Sequence, residues 1–330
     1  MSEDCQIHLP PEPPDPQPSE PDPEPEAPGA TDYSKALARV RACVQHRVQR
    51  VQEEAQDAEQ RVRELLKQPH ARREWMVLNS SRYRSWFICD RILDQSSQTS
   101  FDNPREGLEL AQLALQMTEE LEPELHGAGP IGDLRSSAIA QAGNCFRLMG
   151  RRKEASNCLG LARRNSEAGS GDQLLSARIL SLEALLLVDE GRVGEALHRL
   201  DQALRLHSRA GDEAGVGRIL AIRGSLFLRC GDPNGAAWTL RRAERRIDAE
   251  KDPHLDLKVR QDLVACSLAL GDFPQAELQL QAAKARLEKL PEGPTGRCAS
   301  WFRSALETGL GAEETGKLRD REHGTPAFWS

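Results

Sequence analysis

Residues 224–243 read GSLFLRCGDPNGAAWTLRRA, and this stretch predicts a helical hairpin. An apolar helical segment runs into Gly231, a residue that can close a helix in the left-handed backbone conformation without a Cβ penalty. Asp232 and Pro233 follow as a helix N-cap and a first-turn proline. The alanines and the leucine further on are spaced to form one face of a second helix.

The same arrangement recurs along the chain with a period near 40 residues. The glycine returns at intervals of 41, 40 and 40 residues, and a small, a large and a small apolar residue follow it after five, nine and twelve positions. The aligned residues are Gly150, Gly191, Gly231 and Gly271; Ala155, Ala196, Ala236 and Ala276; Leu159, Leu200, Leu240 and Leu280; and Ala162, Ala203, Ala243 and Ala283. Four registers that agree at this many positions predict an all-α solenoid of antiparallel helical hairpins.

Positions before the glycine follow the pattern in three of the four repeats. The residues are Gly143, Ala184 and Gly224 seven positions before it, with Val264 as the exception, and Phe146, Leu187 and Phe227 four positions before it, with Ser267 as the exception. Small residues let the paired helices approach closely, and the leucines fill the space toward the next hairpin. Burial of each leucine is worth about 1.5–3 kcal/mol, and enlarging one of the alanines to leucine should cost about 1–3 kcal/mol.

This spacing resembles the tetratricopeptide repeat. The unit that carries the resemblance best consists of Gly143, Phe146, Gly150, Ala155, Leu159 and Ala162. The resemblance covers residues 131–285 well and residues 76–121 loosely. The period is near 40 instead of about 34 residues, which is similar to the long-repeat class of bacterial regulators and eukaryotic scaffold proteins. HEAT and armadillo repeats also have periods near 40, but the paired small residues argue against them. The resemblance implies a right-handed α-solenoid.

Composition predicts a different character for each end of the chain. Residues 1–30 contain ten of the twenty prolines and eight acidic residues, with no Lys or Arg, which predicts a disordered acidic tail. Residues 131–290 hold the four tetratricopeptide-like repeats. Residues 291–330 are predicted to form a capping helix, near Trp301–Leu310, and a frayed tail.

A long amphipathic helix is predicted for residues 31–70, because Tyr33–Gln68 contains neither Gly nor Pro. Its apolar residues recur at heptad spacing: Leu37, Val44, Val51, Ala58 and Leu65. Two interpretations remain open, a coiled coil that forms a homo-oligomer through residues 33–68, and a helix folded against the next hairpin. Residues 71–125 are predicted to be an irregular first hairpin with helices near Arg72–Gln95 and Pro104–Leu121.

The resemblance implies that the first helix of each hairpin lines a concave face, where a partner protein or peptide would bind. On these helices the aligned candidates are the cations Arg178, Arg218 and Lys258, the polar residues Asn144, Asp189 and Arg229, and the apolar residues Leu182 and Ile222. We hypothesise that the three cations form a basic ladder that binds an acidic peptide, including the chain's own acidic tail. The alternative is that they are only the solvated side chains of an exposed groove. The family's carboxylate clamp is not supported, because Ala140 stands where a Lys is needed.

Several function classes are disfavoured by the sequence. The net charge is −7, and the eight acids of the tail leave the remaining residues at +1, which argues against a nucleic-acid-binding protein. The eight cysteines include no C-x-x-C pair, and together with the lack of a secretory signal or an apolar span this predicts a cytoplasmic protein without membrane contact. Phosphate-binding glycine loops, nucleophile elbows and metal-spaced histidine pairs are missing, so we expect no enzymatic activity, no cofactor and no metal.

The sequence therefore favours a scaffold or adaptor that binds a protein or peptide. Two alternatives belong to other classes. The first is a peptide-sensing regulatory module that acts through a partner transcription or signalling protein. The second is a structural oligomer assembled through the N-terminal helix.

Overall fold

The computed structural model describes residues 30–287, and every regular element within that range is helical. The chain divides into two compact units, residues 1–50 and residues 51–330. Residues 1–29 of the predicted acidic tail lie outside the described residues, as do the capping helix and frayed tail predicted for residues 291–330.

The first unit contains the N-terminal part of a long helix, α1 (Ala30–Leu66). All side chains from residue 33 to residue 50 are exposed. The absence of Gly and Pro explains why this segment is helical, since nothing in it breaks the backbone pattern. Its apolar residues, however, meet no core among the described residues of this unit.

The second unit begins with the rest of α1 and continues with α2 (His70–Asn79), a 3₁₀ turn (Ser81–Tyr83), α3 (Trp86–Thr99) and α4 (Pro104–Glu119). The prediction of one continuous helix near Arg72–Gln95 is thus wrong, because the helix is interrupted at residues 80–85. Ser80 and Ser85 both adopt extended backbone conformations. Serines compete for backbone hydrogen bonds and favour caps and turns over helix interiors.

A core cluster joins the C-terminal part of α1 to this first hairpin. Its members include Ala58, Val62, Leu65, Val77, Ile88, Ile92, Leu110 and Met117, all buried. From residue 58 onward, α1 therefore folds against the hairpin, which was one of the two interpretations of its sequence.

Four regular hairpins follow after the short helix α5 (Pro123–His126). They are α6 (Ala128–Leu148) with α7 (Arg152–Glu167), α8 (Gln173–Asp189) with α9 (Val193–Ala210), α10 (Glu213–Arg229) with α11 (Pro233–Glu244), and α12 (Pro253–Ala269) with α13 (Phe273–Leu287). The two helices of each pair pack together, and each second helix also contacts the first helix of the next pair. The predicted all-α solenoid of helical hairpins is confirmed.

The turn chemistry predicted from the repeat is confirmed as well. The four aligned glycines have φ angles of 75°, 78°, 81° and 72°, so each closes its helix in the left-handed conformation. The Asp232 carboxylate accepts a hydrogen bond from the Gly235 N–H at 2.8 Å, and Asp272 accepts one from the Gln275 N–H at 3.2 Å. Both aspartates therefore cap the second helix of their hairpin.

Close helix approach explains the small residues. The aligned alanines of the second helices are completely buried. A Cβ atom added at Gly224 would lie 2.5 Å from Cγ of Leu240, well inside normal contact distance. The small residue on the first helix and the leucine on the second are thus matched in shape.

Candidate partner-binding surface

The candidate surface is built from the first helices α6, α8, α10 and α12, and we refer to it as the first-helix face. Helices α6 and α8 contact each other, as do α10 and α12. The repeat register therefore places equivalent residues of successive hairpins side by side. The predicted candidates differ sharply, however, in exposure and in partners.

Two of the three predicted cations form a pair of like charges. Arg178 is half-buried, and Arg218 is exposed. Burial and the positive charge of Arg218 lower the pKa of Arg178, while Asp94 and Asp90 of α3 oppose this shift. Arg178 makes no hydrogen bond and no ion pair within 4 Å with any described residue, whereas Arg218 Nη2 is 2.8 Å from Asp252 Oδ2. Arg178 is therefore a half-buried guanidinium with only long-range compensation.

The third predicted cation, Lys258, is not part of a solvent-facing ladder, and the prediction needs correction here. Its Nζ lies 2.6 Å from Oδ1 of Asp262, and both side chains are buried. The Asp262 carboxylate also accepts a hydrogen bond from the Ser225 hydroxyl of the preceding hairpin. A buried cation needs such a partner, since desolvating an isolated charge is costly. Lys258 therefore has a buried carboxylate as its direct partner, which Arg178 lacks.

Asn144 and Asp189 are joined through a residue that the sequence did not single out, Arg147. The Arg147 guanidinium donates two hydrogen bonds to Oδ1 of Asn144, each 3.0 Å long, and one to Asp189 Oδ2 at 2.9 Å. Asn144 and Arg147 are buried. Burial lowers the pKa of Arg147, while the Asp189 carboxylate opposes this shift. The hydrogen bonds of Arg147 connect α6 to α8, and they give Asn144 and Asp189 partners within the protein itself.

The remaining candidates separate into core and surface. Leu182 and Ile222 are buried members of one hydrophobic cluster, so they belong to the core and do not present their side chains to a partner. Arg229 is exposed and makes no ion pair within 4 Å in the described part of the chain. Of the predicted residues, Arg178, Arg218 and Arg229 thus remain accessible to a partner.

Sequence reasoning missed the acidic counterpart of Arg178. Asp90 and Asp94 lie on α3, outside the four regular repeats, and both carboxylates act to raise the pKa of Arg178. Burial and the neighbouring Asp94 raise the pKa of Asp90, although Arg91 and Arg178 act in the opposite direction. Their spacing of four residues puts both carboxylates on one side of α3, and that signal was available in the sequence.

Some other types of site can be checked directly. Among residues 30–287, no group of three or more His, Cys, Asp or Glu side chains is arranged to hold a metal ion. No helix within the same range combines the length and apolar character needed to cross a membrane. The six cysteines in this range form no disulfide.

Comparison with known proteins gives similarity in structure but not in sequence. No protein-family model matches the chain, and no curated protein matches its sequence. Among solved structures, the chain is similar to BtubC (BKLC) from P. vanneervenii, with a TM-score of 0.47 and 19% sequence identity, over 74% of this chain and 95% of that one.

Proposed function

We propose that this chain is a non-enzymatic scaffold or adaptor of the long-repeat tetratricopeptide class that binds an acidic protein segment or peptide on its first-helix face. The observation that supports this most is the Arg178 guanidinium, which is half-buried, acted on by the positive charge of Arg218 and without a direct partner among the described residues. An incoming carboxylate would offset the repulsion between Arg178 and Arg218. A charge-assisted hydrogen bond of this kind is stronger than a neutral one.

The roles of the predicted residues follow from their surroundings. Arg178 and Arg218 contact the acidic group of the partner, and Arg229 adds positive potential further along the same face. Such charges speed association and fix the orientation of the partner more than they add to affinity. Lys258, Asn144 and Asp189 keep successive hairpins in register instead, and Leu182 and Ile222 form the apolar layer beneath. A cytoplasmic location belongs to the same proposal, since the described cysteines are not in disulfides.

The test uses the full chain and a fluorescein-labelled octa-glutamate peptide, with an octa-lysine peptide as the charge-reversed probe. We expect octa-glutamate to bind, and the double substitution Arg178→Gln and Arg218→Gln to weaken its binding about tenfold. The matched control is Arg164→Gln with Arg205→Gln, which removes two exposed cations from equivalent positions of the second helices α7 and α9.

Two results would contradict the proposal. One is equal loss of binding in the control variant, which would mean that any pair of cations suffices. The other is unchanged binding in the Arg178 and Arg218 variant. Because the acidic tail could occupy the same face, the measurement is repeated with its eight acidic residues replaced by their amides. Tighter octa-glutamate binding in that form would identify the tail as an intramolecular competitor for the first-helix face, and thus support an acidic ligand there.

A further inference from the structure

The N-terminal part of α1 carries an exposed apolar stripe. It consists of Tyr33, Leu37, Val40, Val44 and Val48, whose exposed fractions are 67%, 49%, 59%, 55% and 49%. The spacings of four, three, four and four residues place them along one side of the helix. No described residue covers this stripe, although a surface helix normally buries such a side.

The charges around the stripe have a single sign. Between residues 33 and 52 the chain has five cations, Lys35, Arg39, Arg41, Arg47 and Arg50, and no acid. By helical spacing, Arg41 and Arg47 border the stripe on opposite sides. The stripe is therefore an apolar seam with basic edges, and its electrostatic complement is an apolar seam with acidic edges.

Pairing of the stripe with a second copy of itself fits these charges poorly. A parallel or an antiparallel pair confined to residues 33–50 would set cations against cations, because that segment contains no acid. Within α1, Asp32 precedes this segment and the other acids begin at residue 53, shortly before Ala58, Val62 and Leu65, which are buried in a core cluster. A second copy would have to extend its pairing beyond the stripe to set acids opposite these cations, and the stripe itself offers it none.

The acidic tail also makes a poor occupant. It has the required charge, but Ile7 and Leu9 are its only large aliphatic residues besides Met1, and ten prolines interrupt any helical pattern. A segment of that composition cannot present a regular apolar side to the valines of α1.

We propose that the apolar stripe of α1 docks an amphipathic helix of another protein, whose own apolar stripe is flanked by Glu and Asp. The exposed side extends over about four turns, so the interface is small and the complex is transient, with a Kd on the order of 10 μM. The valines exclude water at the contact, and Arg41 and Arg47 select acidic over basic partner helices. This site is separate from the first-helix face and does not depend on the function proposed for it.

The test uses two designed helical peptides with the same Leu and Val stripe, one flanked by Glu and the other by Lys. Their binding to the full chain is measured by fluorescence anisotropy. We expect the Glu-flanked peptide to bind at least about tenfold more tightly than the Lys-flanked one, and its advantage to shrink in about 0.5 M salt. The double substitution Val40→Glu and Val44→Glu should abolish binding.

The matched control is Ala38→Glu with Ala42→Glu, which adds the same two charges at the same spacing on the other side of α1. We expect it to retain binding. The Arg178 and Arg218 double variant should also retain binding of the Glu-flanked helix, which separates a failure of this proposal from a failure of the first-helix face. Circular dichroism shows whether each variant keeps its helix content.

Three outcomes would overturn the proposal. The first is equal affinity for the two peptides. The second is self-association of the chain across a hundredfold range of concentration that Val40→Glu with Val44→Glu abolishes, since the stripe would then be a homodimer seam. The third is a rise of more than about tenfold in affinity for the Glu-flanked peptide when the tail acids are neutralised, because the tail would then be the occupant.

Discussion

The guanidinium of Arg147 and the carboxylate of Asp189 lie 2.9 Å apart, and they join the first helices of two successive hairpins. The two residues are 42 positions apart in the chain, about one repeat. In a solenoid each hairpin is stabilised by its neighbours, so a polar link of this kind acts at the interface between repeats. Ser225 and Asp262 form a comparable link between α10 and α12.

The Arg147 link predicts a large loss of stability on substitution. Arg147→Met leaves the Asp189 carboxylate without its buried counter-charge and Asn144 without its donor. Loss of one member of a buried ion pair costs about 3–5 kcal/mol. We expect a clearly lower urea midpoint, measured by circular dichroism. Arg151→Met serves as the control, because its pair with Glu154 is exposed and should contribute much less to stability than the buried link. Similar midpoints for the two variants would show that the link contributes little.

Replacement of glycine by alanine should have opposite effects on stability at Gly224 and at Gly194. An added Cβ at Gly224 would clash with Leu240, whereas at Gly194 in α9 it meets nothing within 4 Å. Gly224→Ala should therefore cost about 1–3 kcal/mol through overpacking. Gly194→Ala should stabilise by up to about 1 kcal/mol, since alanine loses less backbone entropy in a helix. Thermal unfolding of both variants checks the pair, and a stabilised Gly224→Ala variant would disprove the close approach.

The repeat register was predictable because it depends on local chemistry and on spacing. A left-handed glycine, an aspartate N-cap and small residues at fixed distances are visible in one sequence, and the structure places Gly231, Asp232 and Ala236 as the pattern predicts. These features require only that each hairpin repeat the geometry of the previous one.

The chemistry of the first-helix face was less predictable, because partners of a side chain lie one repeat away. Lys258 aligns with Arg178 in sequence, yet Asp262 and Ser225 bury it in a network while Arg178 is left without a direct partner. Arg147 was missed because it lies outside the aligned candidate positions. Its role depends on Asp189, whose carboxylate belongs to a neighbouring hairpin.

Asp212 predicts a dependence of stability on pH. Its carboxylate caps α10 by accepting from the Gly215 N–H at 2.9 Å, and its other oxygen is 2.9 Å from His207 Nδ1. Burial acts to raise the pKa of Asp212, but these hydrogen bonds and nearby positive charge outweigh it, and the pKa is lowered. A lowered folded-state pKa means that the stabilisation is present above the unfolded pKa of about 3.9 and is lost as the pH falls through the folded value.

Asp212→Ala should therefore destabilise the protein by about 1 kcal/mol at neutral pH, and the difference from the natural sequence should shrink below about pH 4. Urea unfolding at a series of pH values measures this. Asp102→Ala, at an exposed position between α3 and α4, is the control for loss of an aspartate and should change the urea midpoint little at neutral pH. A constant gap between Asp212→Ala and the natural protein down to about pH 2 would contradict the assignment.

Removal of the Asp90 charge should increase the affinity of the first-helix face for an acidic peptide. Its pKa is raised, chiefly by burial and then by Asp94, so its charged form is disfavoured where it stands. Asp90→Asn removes a negative charge that partly compensates Arg178, and octa-glutamate should then bind about threefold more tightly. The control Glu124→Gln removes an exposed charge on α5 and should leave the affinity unchanged. Anisotropy titrations at constant ionic strength distinguish this local effect from the change in net charge, which is the same in both variants. If Asp90→Asn weakened binding, Asp90 would have to hold Arg178 in its binding position, and the positive potential of the guanidinium pair could not be what attracts the ligand.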